Sequence, residues 1–181
     1  RPQKRKIFAK DRKAKPSTVK PKPADIFDGV HKTKIMVVGI GGGGGSIVSE
    51  IAVRVKKASF VSANTDLQAL KKSVRGIRLF QFGQVLTHGL GTGMNSELGK
   101  IAAQQEREKI KKILEGQDLC ILIACLGGGT GSGAAPIFAK VSKDLGNLTY
   151  GIFTLPFDFE GEKKTQIAKE ALERLKSNVN T

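Results

Sequence analysis

Two glycine-rich runs, each placed directly after a short apolar segment, constrain the fold of this chain more than any other feature of its sequence. The first run covers residues 41–45 and the second covers residues 127–133. An apolar segment followed by glycine and then by a segment of helical period is typical of a β-strand that leads into a helix. In open α/β folds the carboxyl ends of parallel strands form one ligand-binding edge, so both runs are expected there.

The rest of the chain alternates in the same way. Strands are predicted for 34–39, 59–63, 77–80, 118–125 and 148–154, and helices for 46–56, 67–72, 95–115, 134–145 and 161–177. The alternation predicts an α/β fold, a Rossmann-like parallel sheet with helices on both faces. The most apolar strand, 118–125, is expected at the centre of the sheet. Residues 83–93 are expected to form a long loop. A further strand is expected after residue 181, so we predict a sheet that is truncated at its C-terminal end.

The first 34 residues differ in composition from the remainder. They contain twelve basic and three acidic side chains, and therefore carry +9 of the formal net charge of +15. They also hold four of the six prolines and few large apolar residues, so they cannot bury enough surface to offset the entropy of ordering. We predict a disordered basic arm at 1–33 and a folded domain at 34–181. Nucleic-acid binding by the arm is disfavoured, because Phe8 and Phe27 are its only aromatic residues.

Several other classes of protein are disfavoured by the sequence. No run of about 20 apolar residues is present, so no transmembrane segment is predicted, and we expect a cytoplasmic protein. Cys120 and Cys125 are five residues apart in a predicted strand, which places their side chains on opposite faces and argues against a disulfide or a shared metal site. His31 and His88 have no second plausible ligand nearby in sequence, and no direct metal ligand is predicted.

The glycine runs are suited to binding phosphate. Glycine lets successive backbone N–H groups converge on phosphate oxygens, and the following helix N-terminus adds partial positive charge. Gly39, Gly41 and Gly44 match the dinucleotide pattern G-x-G-x-x-G, but that interpretation leaves the second run unexplained. Neither run contains the lysine of G-x-x-x-x-G-K-[ST], which excludes a P-loop NTPase. The remaining alternative is that the glycines serve only tight turns and close packing.

The second run and the residues after it resemble the signature of the tubulin and FtsZ superfamily of GTPases. It reads GGGTGSG at 127–133 and continues as AAP at 134–136. Four more segments are similar to FtsZ loops in order and spacing: GIGGGGGS at 39–46, ANTD at 63–66, THGLGTGMN at 87–95 and PFDFEGEKK at 156–164. The resemblance covers residues 34–181, and FtsZ is closer than eukaryotic tubulin.

The resemblance implies a site for GTP or GDP. Residues 42–45 would line the α and β phosphates with Ser46 beside them, residues 91–93 would face the γ phosphate, and residues 131–133 would hold phosphate through backbone N–H groups. Glu160 would accept hydrogen bonds from the ribose, and Lys164 stands where FtsZ has a basic residue. Asp66 either holds a water of a phosphate-bound Mg²⁺ or caps a helix. The implied site residues are Gly41, Gly42, Gly43, Gly44, Gly45, Ser46, Asn64, Asp66, Gly91, Thr92, Gly93, Gly128, Gly129, Thr130, Gly131, Ser132, Gly133, Glu160 and Lys164.

The resemblance also implies a biological role. FtsZ-like GTPases polymerise head to tail into filaments for cell division, at the division site, with membrane adaptors as indirect partners. The family's guanine-binding Asn and Asp and its catalytic acids would follow residue 181 in sequence, so no catalytic residue is expected in this chain, which alone would not hydrolyse GTP. Ser46 and Glu50 depart from the family's Asn and Arg, and Ser132 from its commoner Thr. The first two favour the alternative of a non-catalytic FtsZ-like scaffold or binding module.

Overall fold

Five parallel strands form the sheet at the centre of residues 32–181, the part of the chain that this computed structural model describes. The strand order is β3-β2-β1-β4-β5, which confirms the predicted Rossmann-like α/β fold. The strands are β1 Ile35–Ile40, β2 Ser59–Asn64, β3 Arg78–Gln81, β4 Leu119–Cys125 and β5 Leu148–Thr154. Residues 1–31, most of the predicted arm, lie outside the described residues.

The position of β4 differs from the prediction. β4 is an interior strand, paired with both β1 and β5, but the middle of the sheet is occupied by β1. The apolar sequence of β4 indicates a strand whose side chains are buried on both faces of the sheet, and any interior strand can be buried in this way. Apolarity therefore identified an interior strand without fixing its place in the order.

Helices connect the strands, and five of them differ from the prediction. The helices are α1 Gly41–Arg54, α2 Leu67–Lys71, α3 Gln84–Thr87, α4 Ser96–Gln105, α5 Arg107–Leu114, α6 Gly129–Asp144 and α7 Glu162–Lys176. α1 and α6 begin inside the glycine runs, which were predicted to be loops. α3 is a single short helix within the predicted loop 83–93, and the predicted helix 95–115 is divided into α4 and α5 at Glu106.

Close packing against the sheet explains why α1 begins within glycine. A Cβ atom on Gly44 would meet the carbonyl oxygen of Ile123 in β4, and one on Gly45 would lie 2.7 Å from Oγ of Ser62 in β2. Any larger residue would hold the helix away from the strands. Glycine has a low intrinsic helix propensity, and here the tertiary packing overrides it.

Two apolar cores cover the two faces of the sheet and hold its carboxyl edge in place. One core joins Val48 of α1 to Val37, Phe60 and Ile123 of the strands. The other joins α4, α5, α6 and α7 to the opposite face, with Phe138 of α6 packed edge-on against the ring of Phe82. The sheet is thus covered by helices on both sides, as predicted.

The outer edge of β5 pairs with residues near the end of the chain. The Asn180 N–H donates to the carbonyl of Thr149 (2.9 Å), and the Gly151 N–H donates to the carbonyl of Thr181 (2.8 Å). The further strand expected after residue 181 remains a prediction. Among residues 32–181, none of the helices has the length and apolarity needed to cross a bilayer.

Candidate functional site

A cavity of about 400 Å³ opens at the carboxyl edge of the sheet, where α1 and α6 begin. Both glycine runs contribute to its wall, as do the residues that follow β2 and the segment before α4. The lining residues are Gly41, Gly42, Gly43, Asn64, Asp66, Ala69, Leu90, Gly91, Thr92, Gly93, Met94, Cys125, Leu126, Gly127, Gly128, Gly129, Thr130, Gly131, Glu160 and Lys164. Most of the predicted site residues are thus brought together at one place.

Both helices that begin at the cavity lack a side-chain cap. The N-cap residues are Ile40 for α1 and Gly128 for α6, and neither makes a side-chain hydrogen bond to its helix. The first backbone N–H groups of a helix have no partner within the helix, and they carry its partial positive charge. Two such ends at one cavity form a site suited to an anion with several oxygens.

The two glycine runs touch each other at the floor of the cavity. Gly41 has a φ of +77°, and a Cβ atom on it would lie 3.0 Å from the backbone nitrogen of Gly131. At Gly42 and Gly128, by contrast, a Cβ atom would have no neighbour within 4 Å. Side chains at those two positions would therefore occupy open space rather than disturb the protein.

The Thr130 hydroxyl, in the first turn of α6, joins this helix to two of the loops that form the cavity. Its Oγ1 lies 2.8 Å from Oγ1 of Thr65, after β2, and 3.1 Å from Oγ1 of Thr92, in the segment before α4. Thr65 and Thr92 are buried. These side-chain bonds fix the relative positions of the loops, which is a structural task for two residues predicted to contact phosphate.

Asp66 is the N-cap of α2, as one of its two predicted roles requires. Its Oδ1 accepts hydrogen bonds from the backbone N–H groups of Gln68 (2.8 Å) and Ala69 (3.0 Å). No bond to a described residue uses the second oxygen, Oδ2, which would lie 3.9 Å from a Cβ atom on Gly91 across the cavity wall. The cap does not exclude the other role, because one carboxylate oxygen remains for a ligand.

Glu160 and Lys164 pair with each other where the 3₁₀ turn Asp158–Glu160 leads into α7. The Lys164 ammonium donates to Oε2 of Glu160 (3.0 Å), and the Phe157 N–H donates to Oε1 (2.9 Å). The backbone bond from Phe157, followed by the bond from Lys164, lowers the pKa of Glu160 below its ordinary value. Glu160 therefore remains ionised, and able to accept hydrogen bonds, at a lower pH than an ordinary glutamate does.

Five predicted site residues do not line this cavity. Gly44 and Gly133 are buried against neighbouring backbone, where a Cβ atom would meet carbonyl oxygens of Ile123 and Ser96 respectively. The Ser132 hydroxyl accepts a hydrogen bond from the Gly127 N–H (2.9 Å) and so closes its own loop. The remaining two, Gly45 and Ser46, line an adjoining cavity.

The adjoining cavity has a volume of about 420 Å³ and lies between α1 and α2. It shares Gly41, Gly42, Asn64, Asp66 and Ala69 with the first cavity, and its wall also includes Ser46, Glu50 and Lys72. The Ser46 hydroxyl donates to the carbonyl of Gly42 (3.1 Å), within its own helix.

Some cavity residues were missed in the sequence. Leu90 and Met94 line the cavity beside residues 91–93, which were predicted, and Cys125 is the last residue of β4 before the second glycine run. Their positions next to predicted residues could have indicated them. They were missed because apolar side chains do not bind anions, so the sequence pattern did not point to them. No group of three or more His, Cys, Asp or Glu side chains able to hold a metal occurs within the described range.

Comparison with known proteins identifies a family and several relatives. The model of the Tubulin/FtsZ family, GTPase domain, matches residues 34–181. The cell division protein FtsZ of Pseudomonas aeruginosa is 43% identical over 159 residues, which cover 87% of this chain and 40% of that protein. The chain spans about two fifths of the length of the curated relatives it matches.

Two solved structures extend the comparison to the fold. The empty FtsZ dimer of M. jannaschii has a TM-score of 0.80 and 39% identity, over 83% of this chain and 44% of that chain. The GDP-bound monomer of CetZ1 from Haloferax volcanii has a TM-score of 0.72 and 28% identity, over 82% of this chain and 49% of that chain.

Proposed function

This chain belongs to the tubulin/FtsZ family, whose GTPase domain it carries over residues 34–181, and we propose that its cavity binds the phosphates and ribose of GTP or GDP. The observation that supports this most strongly is the convergence of two uncapped, glycine-formed helix N-termini on one cavity. The relative CetZ1 is GDP-bound in its own structure.

The backbone supplies most of the binding in this proposal. N–H groups at the starts of α1 and α6 donate to phosphate oxygens from two sides, and no lysine is needed between them. Lys164 adds one positive charge at the rim of the cavity. Glu160, ionised and partly exposed, accepts hydrogen bonds from the ribose hydroxyls.

The donor set at Asp66 fits a hydrated Mg²⁺ held chiefly by phosphate. Mg²⁺ keeps several of its waters and needs few protein ligands, and the described residues provide no cluster that would enclose the ion. Asp66 Oδ2 would accept a hydrogen bond from one of those waters. When bound, the ion would neutralise part of the negative charge of the phosphates.

Gly42→Asp tests the proposed site without a large effect on the fold. A Cβ atom here meets no atom within 4 Å, and an acidic residue in the first turn of α1 favours the helix. The same carboxylate repels phosphate at close range, so we expect GTP affinity to fall by about tenfold or more. Isothermal titration calorimetry measures the affinity, and thermal denaturation checks the fold.

Gln104→Asp is the matched control, because it makes the same change in charge on the exposed surface of α4. It should leave GTP affinity unchanged. If the Gly42→Asp variant and the control were both folded and bound GTP with equal affinity, the start of α1 would not be part of a GTP site.

For the whole protein we propose a GTPase that forms head-to-tail filaments in cell division, with the catalytic acids supplied by the adjacent subunit. Leu90 of the cavity wall is 82% exposed, and Phe157 and Phe159, stacked at 5.4 Å beside Glu160, are 69% and 86% exposed. A subunit docked over the cavity would bury them, and an interface of this heterologous kind generates an open polymer. The 181-residue chain alone would then bind GTP without hydrolysing it.

The second candidate is a scaffold that does not depend on nucleotide. It is favoured by Ser46, whose hydroxyl bonds within its own helix, and by Glu50, an acid at the adjoining cavity. Light scattering with and without GTP separates the two functions. Filaments of the whole protein that form equally well without GTP would support the scaffold.

A further inference from the structure

Positive charge is distributed unevenly over the folded domain. Residues 35–94 contain seven Lys and Arg side chains against two acidic ones, whereas residues 95–181 contain twelve against eleven. The excess of the domain is therefore concentrated in the part built from α1, α2 and the strands β1 to β3. We call its seven basic residues the basic patch: Arg54, Lys56, Lys57, Lys71, Lys72, Arg75 and Arg78.

The basic patch is exposed and its charges are not neutralised by neighbours. All seven residues are exposed. The ion pairs among the described residues join Lys100, Arg107, Lys109, Lys164 and Lys176 to acids of the same second part, residues 95–181. Within the described part of the chain, no residue of the basic patch takes part in an ion pair. Exposed cations without partners are available to an anionic surface.

Much of the basic patch lies at the amino edge of the sheet, away from the nucleotide cavity. Arg54 ends α1, and Lys56 and Lys57 immediately precede β2. Arg75 lies in the turn before β3, and Arg78, the first residue of β3, pairs with Val61 of β2. At about 3.3 Å per residue, a six-residue strand such as β2 separates this edge from the carboxyl edge by about 20 Å.

Exposed apolar side chains lie among these cations. Val53 and Val55, at the end of α1, are 60% and 42% exposed, and Leu79 of the edge strand β3 is 49% exposed. Valine and leucine have no aromatic face on which a base could stack and no group that bonds to phosphate. At a bilayer surface they contact the acyl boundary while the adjacent lysines and arginines contact lipid phosphate.

From these observations we propose that the basic patch docks this domain onto an anionic phospholipid surface. Arg54, Lys56 and Lys57 lie at the edge of the sheet opposite the nucleotide cavity, so the cavity stays accessible when the domain is docked through them. In a filament the patch would recur in each subunit, so that individually weak contacts add up along the polymer.

A charge-reversal pair of variants in the 181-residue chain tests the proposal. The patch variant carries Lys56→Glu, Lys57→Glu and Arg75→Glu, and the control carries Lys109→Glu, Lys111→Glu and Lys112→Glu, three exposed residues of α5. Both variants keep residues 1–34 and have the same net charge. Sedimentation with vesicles of equal parts phosphatidylglycerol and phosphatidylcholine measures binding.

We expect vesicle binding of the patch variant to be about tenfold weaker or more than that of the control, because each lysine or arginine at an anionic surface contributes favourably. GTP affinity of the two variants should remain equal, which separates this result from the nucleotide proposal. Equal weakening of vesicle binding in the two variants would overturn the proposal.

A second variant distinguishes lipid from nucleic acid. Val53→Ser with Val55→Ser retains every charge, so it should weaken vesicle binding several-fold and leave binding to polyuridylate unchanged. If this variant binds vesicles as well as the unmodified chain, or if the patch variant loses polyuridylate binding but keeps vesicle binding, the surface is not a lipid-docking site.

Discussion

At the scale of single residues, Cys125 offers a native chemical probe of the cavity. It is partly exposed and lines the cavity, and a Cβ atom on Gly43 would lie 2.5 Å from its Sγ. Cys120 is fully buried, and burial raises the pKa of its thiol, which keeps it neutral. An alkylating reagent is therefore expected to react with Cys125 alone.

We predict that GTP protects Cys125 from iodoacetamide, because phosphates held at the start of α1 would cover the thiol. Mass spectrometry of the labelled protein measures the rate, which should fall about tenfold at saturating GTP. The Gly42→Asp variant is the control and should need about tenfold more GTP for the same protection, because its affinity is expected to be about tenfold lower. An unchanged labelling rate of the unmodified chain in GTP would mean that nucleotide does not occupy this cavity.

Hydroxyl groups show the limit of sequence reasoning at this scale. The sequence predicted Thr130 and Ser132 as site residues, but it could not indicate where their hydroxyls point. Ser132 bonds the Gly127 N–H and Thr130 joins two other threonines. Those partners are five or more positions away in the chain, and only the folded backbone determines which of them a short side chain reaches.

At the scale of elements, the loops around the cavity depend on Thr130. Thr130→Val removes its bonds to Thr65 and Thr92 and leaves two buried hydroxyls with one partner fewer, so we expect the free energy of unfolding to fall by about 1–2 kcal/mol. GTP affinity should fall as well, since the segment 91–93 loses its attachment to α6. Urea denaturation and calorimetry measure the two effects.

Thr130→Ser is the conservative comparison for this experiment. It keeps the hydroxyl and should recover most of the stability and affinity that Thr130→Val loses. If the valine and serine variants were equally stable, the hydroxyl contacts would contribute nothing to the loops.

The strands and the starts of α2, α4 and α7 were predictable from the sequence, whereas the starts of α1 and α6 were not. Each strand of the sheet is a short segment whose apolar period or composition is visible locally, and the bounds of all five lie within one residue of the prediction. The starts of α1 and α6 are glycines, which local propensity assigns to loops. They are helical because the helix packs against β4 and the neighbouring loops at distances that only glycine permits. The break between α4 and α5 at Glu106 could not be predicted either, because no Gly or Pro lies at that position.

At the scale of the whole molecule, the two proposed interactions use opposite edges of one sheet. The cavity lies at the carboxyl edge, where backbone N–H groups supply the positive potential, and the basic patch extends to the amino edge, where side chains supply it. The amino-acid composition states the net charge of the chain but not where the charges lie on the folded domain. The sequence could therefore suggest an anionic partner, but the separation between a nucleotide and a surface required the strand order and register.

The backbone amides of the glycine runs report whether the two helix N-termini hold the phosphates. Heteronuclear NMR of the ¹⁵N-labelled 181-residue chain, titrated with GTP and Mg²⁺, reports each amide separately. We predict the largest shifts at Gly41, Gly42, Gly128, Gly129 and Gly131, with little change at Arg54, Lys56 and Lys57 of the basic patch. Shifts concentrated at Arg54, Lys56 and Lys57, with those glycine amides unmoved, would mean that the helix N-termini do not bind the phosphates.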